Sequence, residues 1–387
     1  MTAPDVFSPA RLGPLTLRNR VIKAATFEHM APGALVGDDL IEFHRAHAAG
    51  GVGMTTVAYC AVAPEGRTEH DQIWMRPEAL PGLRRLTDAV HAEGAAISAQ
   101  IGHAGPVANG RSNGVHALAA SASFSPLSMQ KIRKATHADI ERVTKAHAEA
   151  ALLAAEAGFD AVEIHFGHNY MASSFLSPLL NKRKDEYGGS LANRAKVALG
   201  IARAVREAVG DRIAILAKLN MEDGVRGGFQ VEESLQVAQW LERDGSLDAL
   251  ELTAGSSLLN PMYLFRGEAP VKEFAETLPQ PLKLGMKMTG KKFIREYPYR
   301  EAFLLDKALL FRRELELPLI LLGGISERAT MDRAMAEGFE FVAMARALLR
   351  EPDLLNRMRE NPATPSLCTH CNKCMPTIFT KTHCVLA

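Results

Sequence analysis

Eight short runs of apolar and β-branched residues recur along this chain: Val21–Ala25, Val52–Tyr59, Ala95–Ile101, Asp160–His165, Ile213–Leu219, Ala249–Thr253, Leu319–Gly323 and Phe341–Ala345. Runs this short and this continuously apolar suit strands buried on both faces, as in a parallel sheet covered by helices. Amphipathic stretches lie between them, at Pro77–Glu93, Ala138–Ala157, Leu191–Val209, Glu232–Arg243 and Glu327–Glu337. Thr136 ahead of His137-Ala138-Asp139, and Ser326 ahead of Glu327, supply helix-start chemistry. Gly94, Gly158, Gly210 and Gly338 supply helix stops. Eight alternating units fit an α/β chain closed as a single (β/α)8 TIM barrel. An open doubly wound sheet is the second choice, but no G-x-G-x-x-G follows an early strand. The pattern predicts a barrel over residues 1–360 and a cysteine-rich segment over 361–387. Leu17–Arg20 and Ser256–Arg300 exceed a minimal barrel, and connections as long as the second are usually functional or mobile.

Charge narrows the function classes. Lys and Arg total 45 against 44 for Asp and Glu, a net charge of +1. A double-stranded nucleic-acid binder usually carries a basic surplus, so no nucleic-acid partner is expected. No run of 18 apolar residues predicts a membrane helix. The opening "MTAPDVFSPARLGPL" has no charged region leading into an apolar core. It therefore does not resemble a signal peptide, and a cytoplasmic location is expected.

In a barrel, chemistry gathers at the C-terminal ends of the strands. Gln100 ends the third run and His103 follows it; His165 ends the fourth; Lys218 and Asn220 end the fifth. His165, His168 and Tyr170 fall within six residues. A lone histidine there is usually a core or capping residue. Two imidazoles aimed at one point can hold a carbonyl or nitro oxygen as charge develops on it. A zinc site is the other reading, with His103 as third ligand, which would make a metal-dependent TIM-barrel hydrolase. Tyr170, protonated at neutral pH, could give a proton to a carbanion beside that oxygen. Gly323-Gly324 at a helix start suits a phosphate, and Arg346 after the eighth strand could clamp it. Lys218 could be a snorkelling surface residue, but at a barrel mouth it would face an anion.

Four of the five cysteines crowd into the last twenty residues as Cys368-x2-Cys371-x2-Cys374-x9-Cys384. The spacing matches thiolate ligation of an iron–sulfur cluster. Structural zinc, with His370 or His383 as alternative ligands, is the second reading, and free thiols the third.

These residues sit in longer motifs: "AQIGHAG", "EIHFGHNYMASSFLSPLLNKRKDEYGGSLANR", "LLGGI" and "AMARALLREPDL". Through them the chain resembles the Old Yellow Enzyme group of NAD(P)H:flavin oxidoreductases, from "FSPARLGPLTLRNRVIKAA" to "FVAMARALLREPDLLNRM". The resemblance implies a barrel binding FMN non-covalently, NAD(P)H as reductant, and hydride transfer to a small electrophilic alkene. It implies that His165 and His168 hold the acceptor and that Tyr170 protonates it. Gln100 would bond the flavin pyrimidine edge, and Ala24, Ala25 and Tyr59 would line the ring. Gly323, Gly324, Ala345 and Arg346 would hold the phosphate, with Arg194 structural. Lys218 stands where the family usually has Arg, keeping the charge without the fork geometry. Either Thr26 or Phe27 would be the side chain that tunes the flavin. The cysteines resemble those of the trimethylamine dehydrogenase and 2,4-dienoyl-CoA reductase branch, which carries a 4Fe–4S cluster after the barrel. The chain ends at Ala387 without that branch's further nucleotide-binding domains, so an electron partner is expected on another chain. Self-association is left open. An RNA-modifying flavin barrel is disfavoured by the neutral charge.

Overall fold

A computed structural model describes residues 3–125, 129–278 and 280–387. The eight strands are β1 Val21–Lys23, β2 Met54–Ala61, β3 Ala96–Gly102, β4 Ala161–Phe166, β5 Ala214–Asn220, β6 Ala249–Thr253, β7 Leu319–Leu322 and β8 Phe341–Met344. Each pairs in parallel with the next in sequence, and β8 returns to β1, closing the barrel. The principal helices, one after each strand, are α1 Asp38–Ala49, α2 Leu80–Ala92, α3 His137–Glu156, α4 Leu191–Val209, α5 Val231–Asp244, α6 Leu305–Glu314, α7 Arg328–Ala336 and α8 Leu354–Glu360. The chain is therefore a (β/α)8 barrel. No helix among the described residues is long and apolar enough to cross a membrane.

Helix α3 begins as the sequence suggests. Thr136 accepts from the Asp139 backbone, and the Asp139 carboxylate accepts from Thr136 in return. Such a cap is worth about 1 kcal/mol. Gly94, Gly158, Gly210 and Gly338 all take positive φ after a helix. Ser326 is not a cap: Glu327 precedes α7, and the Ser326 hydroxyl bonds Glu301.

Side-chain alternation sorts each strand into two faces. On β4, Val162, Ile164 and Phe166 pack outward against the helices, in the same apolar cluster as Val197, Ala198 and Ile201 of α4. Ala161, Glu163 and His165 face the barrel interior. The interior is layered. At the bottom, the antiparallel ribbon Ala10–Leu12 with Leu15–Leu17 plugs the barrel, Leu12 and Leu17 packing with Met54, Ala161, Ala214 and Ala249. Above it comes a charged layer of Glu163, Lys218 and Glu251, with Gln100. At the mouth stand His165, Asn220 and Thr253. Register brings the charged layer together, with Lys218 beside Glu251 on β6 and Gln100 beside Glu163 on β4; Lys218 also lies beside His165, linking it to the mouth.

Two additions cover the mouth. Between β6 and α6 runs a long connection holding helices Val271–Glu276 and Leu282–Phe293. After α8, the cysteine-bearing segment returns across the barrel top, where the Thr382 backbone donates to the Glu28 carbonyl at 3.0 Å and its hydroxyl donates to the Phe27 carbonyl.

Candidate functional site

The turn after β4 brings two imidazoles and a phenol together. His168 and Asn169 take left-handed φ of 58° and 60°, which turns the chain back over the mouth. Asn220 Oδ1 accepts from the His168 backbone at 3.1 Å, and Asn169 donates to Asp223 at 3.0 Å. These bonds offset the strain of two non-glycine residues in that region. The ring centroids of His165 and His168 are 5.1 Å apart, and those of His165 and Tyr170 are 4.3 Å apart. Tyr59 packs 5.4 Å from Tyr170, its hydroxyl donating to the Gly66 carbonyl.

Burial dictates the protonation states. It holds His165 well below the usual imidazole range, with His168 and Lys218 adding repulsion. It takes His168 down to about 3, Lys218 again contributing. It pushes the Tyr170 phenol up. The site thus holds two neutral imidazoles and a protonated phenol at neutral pH. The Gly167 N–H donates to His165 Nδ1 at 3.2 Å, so the His165 proton sits on Nε2. His168 Nε2 is 3.0 Å from Thr253 Oγ1.

Beneath them, the Lys218 ammonium bonds Glu163 at 3.1 Å and also bonds Glu251. Burial alone would push Lys218 down, but the two carboxylates outweigh it and raise it. Burial and the neighbouring Glu163 push Glu251 up to about 8. Gln100 donates its amide to Glu163, leaving its carbonyl oxygen without a partner among the described residues. Glu163 and Glu251 were not singled out from the sequence. Their signal was a charged residue in the middle of an apolar strand.

A second buried pair closes the β1 end. Lys23 donates to Glu28 at 3.0 Å and to Thr26 Oγ1 at 2.9 Å. Glu28 accepts from the Ala58 backbone at 2.8 Å, tying β1 to β2. Thr26 is thus fixed by Lys23, while the Phe27 ring packs edge-on to His29. Ala24, bonded to the Met344 carbonyl at 2.8 Å, and Ala25 keep this edge free of bulk.

Gly323 and Gly324 have φ of 104° and 76°. A Cβ at Gly324 would meet Phe303 at 2.7 Å and the Arg300 carbonyl at 2.8 Å. Arg346 does not simply face this loop. Its Nη1 donates to the Arg266 carbonyl at 2.9 Å and to Asn372, joining the end of β8 to the long connection and to the cysteine segment. Its Nε and Nη2 have no hydrogen-bond partner among the described residues. The residues fit FMN. Gln100 and Lys218 offer polar groups just beneath the mouth, alanines leave room for a planar ring, and the glycine loop and two guanidinium nitrogens remain for a phosphate.

All four clustered cysteines line one cavity, with Arg346, Arg350 and the apolar Leu367, Val385 and Leu386. No carboxylate lines it. Burial pushes the Cys368 thiol up and takes Cys374 up to about 11, and Arg346 opposes both shifts. Among the described residues, no three of the cysteine sulfurs lie within 4.8 Å of one another. A single zinc ion with bonds of about 2.3 Å needs its sulfurs closer than a four-iron cluster does. Four thiols with no carboxylate make a donor set that an iron–sulfur cluster takes, and one that a structural zinc takes too.

The hydrolase alternative loses its third ligand. His103 accepts from the Gly105 backbone at 2.9 Å and faces Glu65 at 3.8 Å. It does not converge with His165 and His168 on one point.

Residues 5–252 match the family model described as the NADH:flavin oxidoreductase / NADH oxidase family. The chain belongs to that family. Its cofactor is FMN and its reductant a reduced nicotinamide. The 4,4'-dithiodibutanoate disulfide reductase of Rhodococcus erythropolis is 55% identical over 99% of this chain and 95% of its own length. A metal reductase of Desulforamulus reducens is 33% identical over 97% of this chain, which spans only 52% of that relative. A 2-naphthoyl-CoA reductase, solved with 2-naphthoyl-CoA, superposes with a TM-score of 0.84 at 26% identity. That match covers 99% of this chain and 57% of the other.

Proposed function

We propose that this oxidoreductase is an ene-reductase, whose acceptor is a small activated alkene such as an α,β-unsaturated carbonyl. The observation that carries this reading is the buried cluster of His165 with His168 and Tyr170, their ring centroids 5.1 and 4.3 Å from that of His165, where burial favours neutral imidazoles and a protonated phenol. When bound, FMN supplies the hydride. His165, through Nε2–H, and His168 hold the acceptor oxygen as negative charge builds there. Tyr170 delivers the proton to the carbon beside the polarised group. Gln100 and Lys218 meet the polar edge of the flavin, and Ala24, Ala25, Thr26 and Tyr59 line its surroundings. Gly323, Gly324, Ala345 and Arg346 hold its phosphate.

A second acceptor class has one specific support: the 55% identity to a disulfide reductase. A hydride and one proton convert a disulfide into two thiols, with Tyr170 protonating the departing thiolate. Reduced protein, prepared anaerobically with NADH or NADPH, separates the two. An enone that reoxidises the flavin rapidly supports the first reading. Reoxidation by 4,4'-dithiodibutanoate alone supports the second, and reoxidation by neither defeats both.

We also infer that Cys368, Cys371, Cys374 and Cys384 hold a 4Fe–4S cluster, passing single electrons to a partner protein. The shared cavity, lined by all four thiols and by no carboxylate, supports this reading. Stoichiometric iron and acid-labile sulfide after anaerobic purification would sustain it, and stoichiometric zinc would overturn it.

A further inference from the structure

Arg350 ends the short helix Arg346–Arg350 that follows β8, and it forms part of the wall of the cysteine cavity. Its Nη1 lies 3.9 Å from Cys384 Sγ, within reach of an N–H···S hydrogen bond. Among the described residues it has no carboxylate partner. The neighbouring acid, Glu351, is turned away: it accepts from Ser366 at 3.0 Å, from the Leu367 backbone at 2.5 Å, and from Arg357. The Arg350 charge is therefore directed at sulfur and left uncompensated by the protein. Arg346 brings a second guanidinium to the same cavity, but its Nη1 is committed to carbonyls and Asn372.

We propose that Arg350, by donating an N–H to Cys384, sets the reduction potential of the cluster held by the four cysteines. This rests on the cluster reading above. Accepting one electron adds one negative charge to a centre already bound by four thiolates. A cation that hydrogen-bonds a ligand sulfur stabilises the reduced form more than the oxidised form, and so raises the potential. Arg350 is a positioning and tuning residue: it touches a ligand of the cluster and neither the acceptor nor the flavin site.

The test is a potentiometric titration of the full chain with dithionite, which supplies the electron, followed by electron paramagnetic resonance. Iron and acid-labile sulfide are measured on every sample. Arg350→Gln should keep wild-type iron and sulfide and shift to a lower potential. The reduced-to-oxidised ratio at a fixed potential should fall about tenfold, equivalent to about 59 mV for a one-electron couple. Arg350→Lys, which keeps the charge without the directed fork, should lie between. A fully loaded Arg350→Gln protein at the wild-type potential overturns the proposal. Should Arg350→Gln lose its iron, Arg350→Lys decides: a potential below wild type sustains the proposal, and equality overturns it. Wild-type chain without iron or sulfide defeats the cluster reading itself, and this inference falls with it.

Discussion

The backbone N–H of Gly167 donates to Nδ1 of His165 at 3.2 Å, which leaves the proton of this neutral imidazole on Nε2. His165 then meets an acceptor as a hydrogen-bond donor and not as a base. His165→Ala should slow reoxidation of the reduced flavin by an enone about 10²- to 10³-fold, the usual cost of one lost donor to a developing oxyanion. Reduction by NAD(P)H should change much less. Stopped flow resolves the two half-reactions, and equal losses in both would contradict the assignment. The enone reaction should also lack a titration near pH 6.5, because burial keeps both imidazoles neutral well below that pH.

Tyr170→Phe keeps the ring that packs against His165 and Tyr59 and removes only the hydroxyl. Enone turnover should fall about 10²- to 10⁴-fold, the range for a lost general acid. Acceptor affinity should hold nearly constant. A large rise in acceptor dissociation constant with turnover intact would make Tyr170 a binding group instead.

Glu251→Gln removes one of the two carboxylates that pair with Lys218, leaving the ion pair with Glu163. Above about pH 8, where Glu251 is ionised, less negative charge beneath the mouth should favour the reduced, more negative flavin. The two-electron midpoint should rise by on the order of 30 mV, about 1.4 kcal/mol. Spectroelectrochemistry measures this, and an unchanged or lower potential would mean that Lys218 does not act on the flavin.

The eight strands were legible because strands buried on both faces read as unbroken apolar runs. Other features were hidden for physical reasons. Helix α1 begins after Gly37 with no side-chain cap, so its start carries only the weaker signal of Asp38 and Asp39 in its first turn. The ribbon Ala10–Leu12 with Leu15–Leu17 is too short for periodicity to register. Lys218 does face anions, but beneath the mouth, and its protein partners are 55 and 33 residues away on neighbouring strands. Arg346 was read from its place after β8, and its bond to Asn372, 26 residues on, depends on how the cysteine segment returns. Local pattern reports which residues reach the mouth, whereas their partners follow from barrel closure.

His147, on α3, is buried away from the mouth and donates to the Val143 carbonyl at 2.7 Å. Burial takes it down to about 4. Because its folded pKa lies below its unfolded value near 6.5, the unfolded chain binds the extra proton between those pH values. Stability should therefore fall as pH drops from 6.5 toward 4, by about 1.4 kcal/mol per pH unit from this group. His147→Leu should flatten that part of the profile, whatever constant it loses from the missing hydrogen bond. Denaturant titrations at several pH values give the slope, and an unaltered slope would show that His147 is protonated in the folded protein.

Cys60 and the four clustered cysteines should respond oppositely to alkylation. Cys60 lies in β2, fully buried, and burial pushes its thiol up, so little reactive thiolate forms. Iodoacetamide should leave it untouched in native protein, with or without metal. Cys368, Cys371, Cys374 and Cys384 are partly accessible and line one cavity. In metal-free chain they should react, slowly at neutral pH for Cys374, whose thiol lies near 11, and faster as pH rises. In protein purified without air the same four should be protected together, because thiolates bound to iron are unavailable as nucleophiles. Loading should also release protons, since the buried thiols must ionise to bind. Peptide mapping by mass spectrometry reads the pattern residue by residue. Four cysteines alkylated equally with and without iron would remove the segment from cluster binding. Protection of Cys368, Cys371 and Cys374 with Cys384 still reactive would leave Arg350 with no ligand sulfur to tune.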